Sequence, residues 1–189
     1  PFLLKVHNDF AEHVISQDEL MQIIRLCISY VFRRSICDVP PNSLNKTFAT
    51  LRNEIRSNDY LNSIKAFFVL QDGYKEFPND ERFTTAFMTR DVYNMRSRNF
   101  ILRQLENFGN KAPICIENYT IEHIMPQNRN LSPEWQEMLG PNWKDVQKTY
   151  LHTIGNLTLT AYNSEMSDHS FLTKIDMEGG FKESALRLN

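Results

Sequence analysis

From Ser16 the run SQDELMQIIRLCISYVFRRS sets apolar residues at Leu20, Ile23, Ile24, Cys27, Ile28 and Val31. That spacing predicts an amphipathic helix, opened by a Ser cap and an acidic first turn and ending in Arg33 and Arg34. Pro40 and Pro41 break the chain, and Asn42 or Ser43 can cap a second helix with Leu44, Phe48, Leu51 and Ile55 on one face. A third helix is predicted between Asp59 and Leu70. Gln71-Asp72-Gly73 is a turn, and Pro78-Asn79-Asp80 is a turn or cap before a helix through Phe83, Phe87 and Met88. Asp91 to Phe108 reads as the longest helix, with Val92, Met95, Phe100, Leu102 and Leu105 apolar, Arg90, Arg96, Arg98 and Arg103 charged, and Gly109 as its stop.

After Ala112 the pattern changes. Pro113 to Ile116 and Tyr119 to Met125 are β-prone, while Ser132-Pro133-Glu134-Trp135 and Pro141-Asn142-Trp143 each resemble a cap followed by a short helix. In HTIGNLTLT, residues 152–160, a Gly-Asn turn feeds the alternating strand NLTLT, and short helices are expected from Ala161, Ser170 and Gly180. The fold class is therefore mainly helical α+β: a helical region over 1–112, then a strand, insert, strand and helix unit over 113–189.

Composition narrows the class. The 189 residues are 41% hydrophobic and 23% charged, which is ordinary for a folded globular chain and excludes disordered, collagen-like and coiled-coil readings. The longest apolar runs, such as Ile64 to Leu70, fall far short of the roughly 20 residues that cross a bilayer. The chain opens on Pro1, without a signal-peptide pattern, and looks like a piece of a longer polypeptide. Cys27, Cys37 and Cys115 are widely spaced with no CxxC pair, as expected for reduced, buried thiols of a cytoplasmic protein. A net charge of −2 gives no global pull on nucleic acid. Any phosphate-binding surface must come from local clusters; Arg96 and Arg98 are candidates, with a solvated helix face as the ordinary alternative.

The chemistry concentrates at IEHIMPQ, residues 121–127, where a carboxylate and an imidazole stand side by side in an otherwise apolar strand. Glu122 and the amides Asn156 and Asn163 offer hard oxygen donors of the kind Mg²⁺ takes, and His123 can accept a proton from water near neutral pH. A base for the nucleophile and a cation for the phosphate are what metal-assisted phosphodiester hydrolysis requires. His152, just before the Gly-Asn turn, can contact phosphate, cap the turn or pack. Trp135 and Trp143 are expected to anchor the short helices of the insert by burial.

Glu-His-Ile-x-Pro on a strand, then Gly-Asn-Leu-Thr-Leu entering a second strand, then Asn163 opening a helix, resembles the HNH, or ββα-metal, nuclease motif. EHIMPQ, the Trp-containing insert, HTIGNLTLT, Asn163 and Phe171 to Lys174 are similar to the C-terminal domain of GmrSD-type, modification-dependent (type IV) restriction endonucleases. Upstream, FRRSICDVPPNSLNKTFATL and FPNDERFTTAFMTRDVYNMRSRNFILRQLE look like the helical region that precedes the nuclease unit there. The resemblance implies a cytoplasmic DNA endonuclease, acting on DNA that includes modified phage DNA. It also implies a divalent cofactor, Mg²⁺, Mn²⁺ or another ion, and an upstream nucleotide-hydrolysing domain of the same polypeptide or system.

On the same resemblance His123 is the general base, and Glu122 and Asn163 are the metal ligands. Asn156 stands where the motif's middle Asn orients the histidine and braces the loop, and Lys174 is a candidate phosphate contact. Asn163 replaces the motif's last histidine, and His169 lies six residues beyond it, off helical spacing. Glu122 and His123 are neighbours on a strand and so point to opposite faces, which lets both reach one ion only where the strand ends; Pro126 supplies such an end. Two other readings stay open: a DNA-binding or regulatory module that keeps the nuclease fold without cutting, and a structural zinc site built from His123, His152, His169 and a cysteine.

Overall fold

Ser16 and Glu19 close a capping box: Ser16 Oγ accepts from the Glu19 N–H at 3.2 Å and Glu19 Oε2 accepts from the Ser16 N–H at 2.8 Å. The structure, a computed structural model, describes residues 2–189. In it the box starts α2 (Gln17–Ile36), which follows α1 (Phe2–Ala11), a helix absent from the sequence expectation. The buried side of α2 is Leu20, Ile23, Cys27, Tyr30 and Arg34, while Ile28 and Val31 of the predicted stripe are exposed. Arg34 lies on this buried side. Its guanidinium is buried because it donates to the carbonyls of Pro40, Tyr74 and Glu76 and to Ser43 Oγ, clamping two loops to the helix.

Contacts gather into two compact units, one up to Phe87 and the other from Met88 to Asn189. In the first, α1 and α2 pack with α3 (Leu44–Glu54) and α4 (Tyr60–Val69) around Val6, Ile23, Tyr30, Leu51, Ile64 and Phe68. Ser43 precedes α3 without capping it, its hydroxyl being engaged by Arg34 and by the Tyr74 carbonyl. Asn79 Oδ1 accepts from the Arg82 N–H at the start of α5 (Asp80–Thr89).

The second unit begins upstream of the expected change at 112/113, and residues 88–112 pack within it. The long helix expected over Asp91–Phe108 is only α6 (Arg98–Glu106). Asp91 accepts from both the backbone and the side-chain N–H of Asn94, and the Val92 and Tyr93 N–H groups both donate to the His152 carbonyl, so residues 91–97 form turns instead. No strand forms at Pro113–Ile116; the Asn107 amide brackets Ile114, accepting from its N–H and donating to its carbonyl.

The sheet is a single antiparallel pair, β1 (Thr120–His123) and β2 (Leu157–Thr160), in the register Glu122 opposite Thr158 and His123 opposite Leu157. Between them run α7 (Pro133–Leu139), capped by Ser132, and α8 (Trp143–Tyr150). After β2 come α9 (Asn163–Met166) and α10 (Phe171–Asp176), the latter capped by Ser170. All four β2 residues are buried, so the expected alternation of exposure is absent; Thr158 Oγ1 meets its need by donating to the Leu188 carbonyl. Of the cysteines, Cys27 is buried, Cys37 half-buried and Cys115 exposed, so the expectation of three buried thiols holds for Cys27 alone. Among the described residues no helix is long and apolar enough to cross a membrane.

Gly180 sits where a side chain cannot. A Cβ there would lie 2.6 Å from the Lys174 carbonyl oxygen, 2.7 Å from that of Met177 and 2.8 Å from that of Ile175. Gly180→Ala is expected to destabilise the second unit by about 1–3 kcal/mol, read as a lowered denaturation midpoint at unchanged slope. A neutral effect would mean that the end of α10 yields freely.

Candidate active site

β1 ends at His123, three residues short of Pro126, and Asn156 does the ending. Its carbonyl accepts from the Ile124 N–H at 3.0 Å, its Oδ1 accepts from the Met125 N–H at 2.7 Å, and its Nδ2 donates to the carbonyls of Met125 and Leu151. The side-chain amide replaces the next rung of the ladder, and the chain turns away. Gln147, buried on α8, donates to the carbonyls of Pro126 and Asn128. Lys174, fully buried on α10, donates to the carbonyls of His123 and Ile124 at 3.0 and 3.2 Å. Three polar side chains from three elements thus fix the turn that follows His123.

The Lys174 ammonium also meets Glu122 Oε1 at 2.5 Å, and both side chains are almost wholly out of water. Its three donors are therefore directed at Glu122, His123 and Ile124, which corrects the expectation that Lys174 contacts phosphate. Burial pushes the Glu122 carboxyl above the usual carboxylate range, the bond and charge of Lys174 pull it back in part, and the Asp168 carboxylate adds to the rise.

His123 turns to the other face of β1, as strand alternation requires. It is buried, and its Nε2 lies 3.1 Å from Nδ1 of half-buried His152. Tyr93 stands edge-on to the His123 ring at 4.5 Å and stacks on the His152 ring at 5.2 Å and 12°. Burial, then the charges of His152 and Lys174, push the His123 imidazole down to about 4, against a smaller opposing pull from Asp91. It is neutral at physiological pH, the state in which an imidazole can accept a proton.

The structure therefore brings His123 and His152 together, sets Glu122 on Lys174, and uses Asn156 to brace the turn. Asn163 is exposed at the start of α9, its amide nitrogen donating to the Ile121 carbonyl at 3.2 Å. Arg98 lies over the Tyr93 ring, 5.3 Å from its centroid, and donates to the Tyr93 carbonyl, while Arg96 is exposed. His169 is also exposed, and its carbonyl accepts from Trp135 Nε1. Tyr93 and Asp91 were not read as site residues. The only trace of them in the sequence is the Asp91…Asn94 turn pair, which reads equally well as the start of a helix.

A divalent ion does not fit the donors as they stand. The only carboxylate on β1 is compensated by a buried ammonium, and a dication beside it would face that charge. Among the described residues no group of three or more His, Cys, Asp and Glu side chains is placed to hold a metal, which also removes the zinc site of three histidines and a cysteine.

Residues 77–189 match the family model described as GmrSD restriction endonucleases, C-terminal domain. Comparison with curated proteins and with solved structures gives no match.

Proposed function

Because the chain belongs to the GmrSD restriction endonucleases, whose C-terminal domain covers more than half of it, we propose that its second unit is an HNH-type nuclease that hydrolyses DNA phosphodiester bonds. His123 takes a proton from water as the water oxygen attacks phosphorus, and the bond to the 3′-oxygen opposite breaks. The observation that carries this reading is a neutral imidazole at the end of β1, followed by a turn whose carbonyls are held by Lys174, Asn156 and Gln147. A base held this way loses little freedom at the moment of reaction.

The requirement for Mg²⁺, Mn²⁺ or another divalent ion rests on family membership, as does the choice of modified phage DNA. The site residues named here act on the backbone and supply no base readout. Recognition of modification would come from elsewhere in the full protein, and family membership favours a role in phage defence in the cytoplasm, alongside an upstream nucleotide-hydrolysing domain. The Glu122–Lys174 pair favours a second reading, a DNA-binding or regulatory module that no longer cuts, since it withdraws the carboxylate the nuclease motif would offer to metal.

The deciding experiment incubates the full-length protein with supercoiled plasmid and with DNA carrying modified bases, in Mg²⁺ or Mn²⁺. Nicked or linear product is expected, and its fate on adding EDTA tests the divalent-ion requirement that rests on family membership. If no DNA is cut under any of these conditions, the enzyme reading falls and the non-cleaving module takes its place.

A further inference from the structure

His123 Nε2 and His152 Nδ1 lie 3.1 Å apart, so one donates to the other and there are two ways to place the proton between them. If His152 Nδ1 carried it, neutral His123 would have its proton on Nδ1 and no free lone pair. A ring in that state has no lone pair left to take a proton from water and cannot serve as the base. If His123 Nε2 carries the proton, it donates to His152 Nδ1 and leaves His123 Nδ1 bare.

We propose that His152 is a positioning residue for the cleavage reaction: it accepts the Nε2–H of His123 and thereby fixes the tautomer whose bare Nδ1 faces the attacking water. The inference rests on the reading of His123 as the base. It differs from the phosphate-contact role suggested by sequence, which would use the other ring nitrogen of His152, Nε2.

The rest of the cage supports the assignment. The His152 carbonyl accepts from the Val92 and Tyr93 N–H groups at 2.9 and 3.2 Å, and the ring lies flat on Tyr93. Tyr93 is held in turn by Arg98, which donates to its carbonyl at 2.9 Å. Backbone and ring of His152 are thus fixed by the same turn, and that turn also sets the edge contact of Tyr93 on His123. The irregular 91–97 segment acquires a purpose here: a continuous helix would have kept the Val92 and Tyr93 N–H groups for its own ladder.

The test labels the chain with ¹⁵N-histidine and reads the ring nitrogens of His123 at neutral pH. A protonated Nε2 and a bare Nδ1 are expected in the unsubstituted chain, and an Nδ1-protonated His123 overturns the proposal whether or not cleavage is ever seen. In the full-length protein, His152→Ala is expected to lower kcat by about tenfold or more at unchanged DNA affinity, since the orientation of the base is lost and not the binding. His152→Asn, whose amide oxygen reaches the place of Nδ1, is expected to restore the tautomer and most of the rate, whereas the longer His152→Gln is not. Loss of DNA affinity with kcat intact in His152→Ala marks a phosphate contact and refutes the proposal. If His152→Ala fails to fold, the unsubstituted spectrum and His152→Asn decide alone.

Discussion

His123→Ala is expected to lower the rate of DNA cleavage by about 10²–10⁴-fold, the range a positioned general base contributes, and to leave the fold in place. The fold is expected to survive because the turn after His123 is held through backbone carbonyls that Ala also has, by Lys174 and Asn156. Single-turnover cleavage at saturating enzyme reads the chemical step directly. A variant within tenfold of the unsubstituted rate would remove His123 from the chemistry. The same variant carries a signature in stability. The folded-state pKa of His123 lies near 4, below its ordinary 6.5, so between those values the unfolded chain binds a proton that the folded chain refuses. Stability therefore falls as pH drops from about 6.5 toward 4, and His123→Ala removes that component. The raised Glu122 carboxyl acts in the opposite sense, favouring the folded state as pH falls, but it is common to both proteins and cancels in their difference. Urea unfolding across this window is expected to give a shallower acid slope for the variant.

How far the fold could be read in advance depended on whether local signals acted alone. The Ser16 capping box, the Ser132 and Ser170 caps and the Gly-Asn entry to β2 were visible because each is settled within a few residues. The burial of Arg34 and the breakup of 91–108 were not. The first depends on carbonyls about forty residues away, and the second on the His152 carbonyl some sixty residues on, against an apolar pattern that fits a helix well. The site divides along the same line. His123 and Asn156 stood out by residue type and order, and Asn156 does hold the turn, whereas the partners of each ionisable group did not. Lys174 was a candidate phosphate contact through the family resemblance alone, and its local sequence carries no sign of the contacts with Glu122 and the end of β1 that take it out of water. Tyr93 carries no motif at all, and its contacts with both histidines follow from a turn that propensity disfavours.

Lys174→Met is the second large effect expected, at about 3–5 kcal/mol of lost stability. Removing one member of a buried ion pair leaves the other without its partner, and Glu122, 5% exposed, must then either hold an uncompensated charge or take up a proton. Two carbonyls, of His123 and Ile124, lose their donor at the same time. Replacing both members with apolar residues of similar size, Glu122→Leu with Lys174→Met, takes away the stranded charge but not the stranded carbonyls. The double variant is therefore expected to recover more than half of the loss without reaching the unsubstituted protein. The prediction is a strong non-additivity in a double-mutant cycle measured by urea unfolding. Additive effects, or a Lys174→Met loss below about 1 kcal/mol, would show that the ammonium is not buried against Glu122 in solution. In that case the carboxylate would be open to another cation, and the motif's metal ligand would regain its place on β1. With strong coupling, the negative charge of Glu122 has its partner inside the protein, and on the proposed mechanism the pair serves the reaction through the two carbonyls by which Lys174 holds His123 and the following turn.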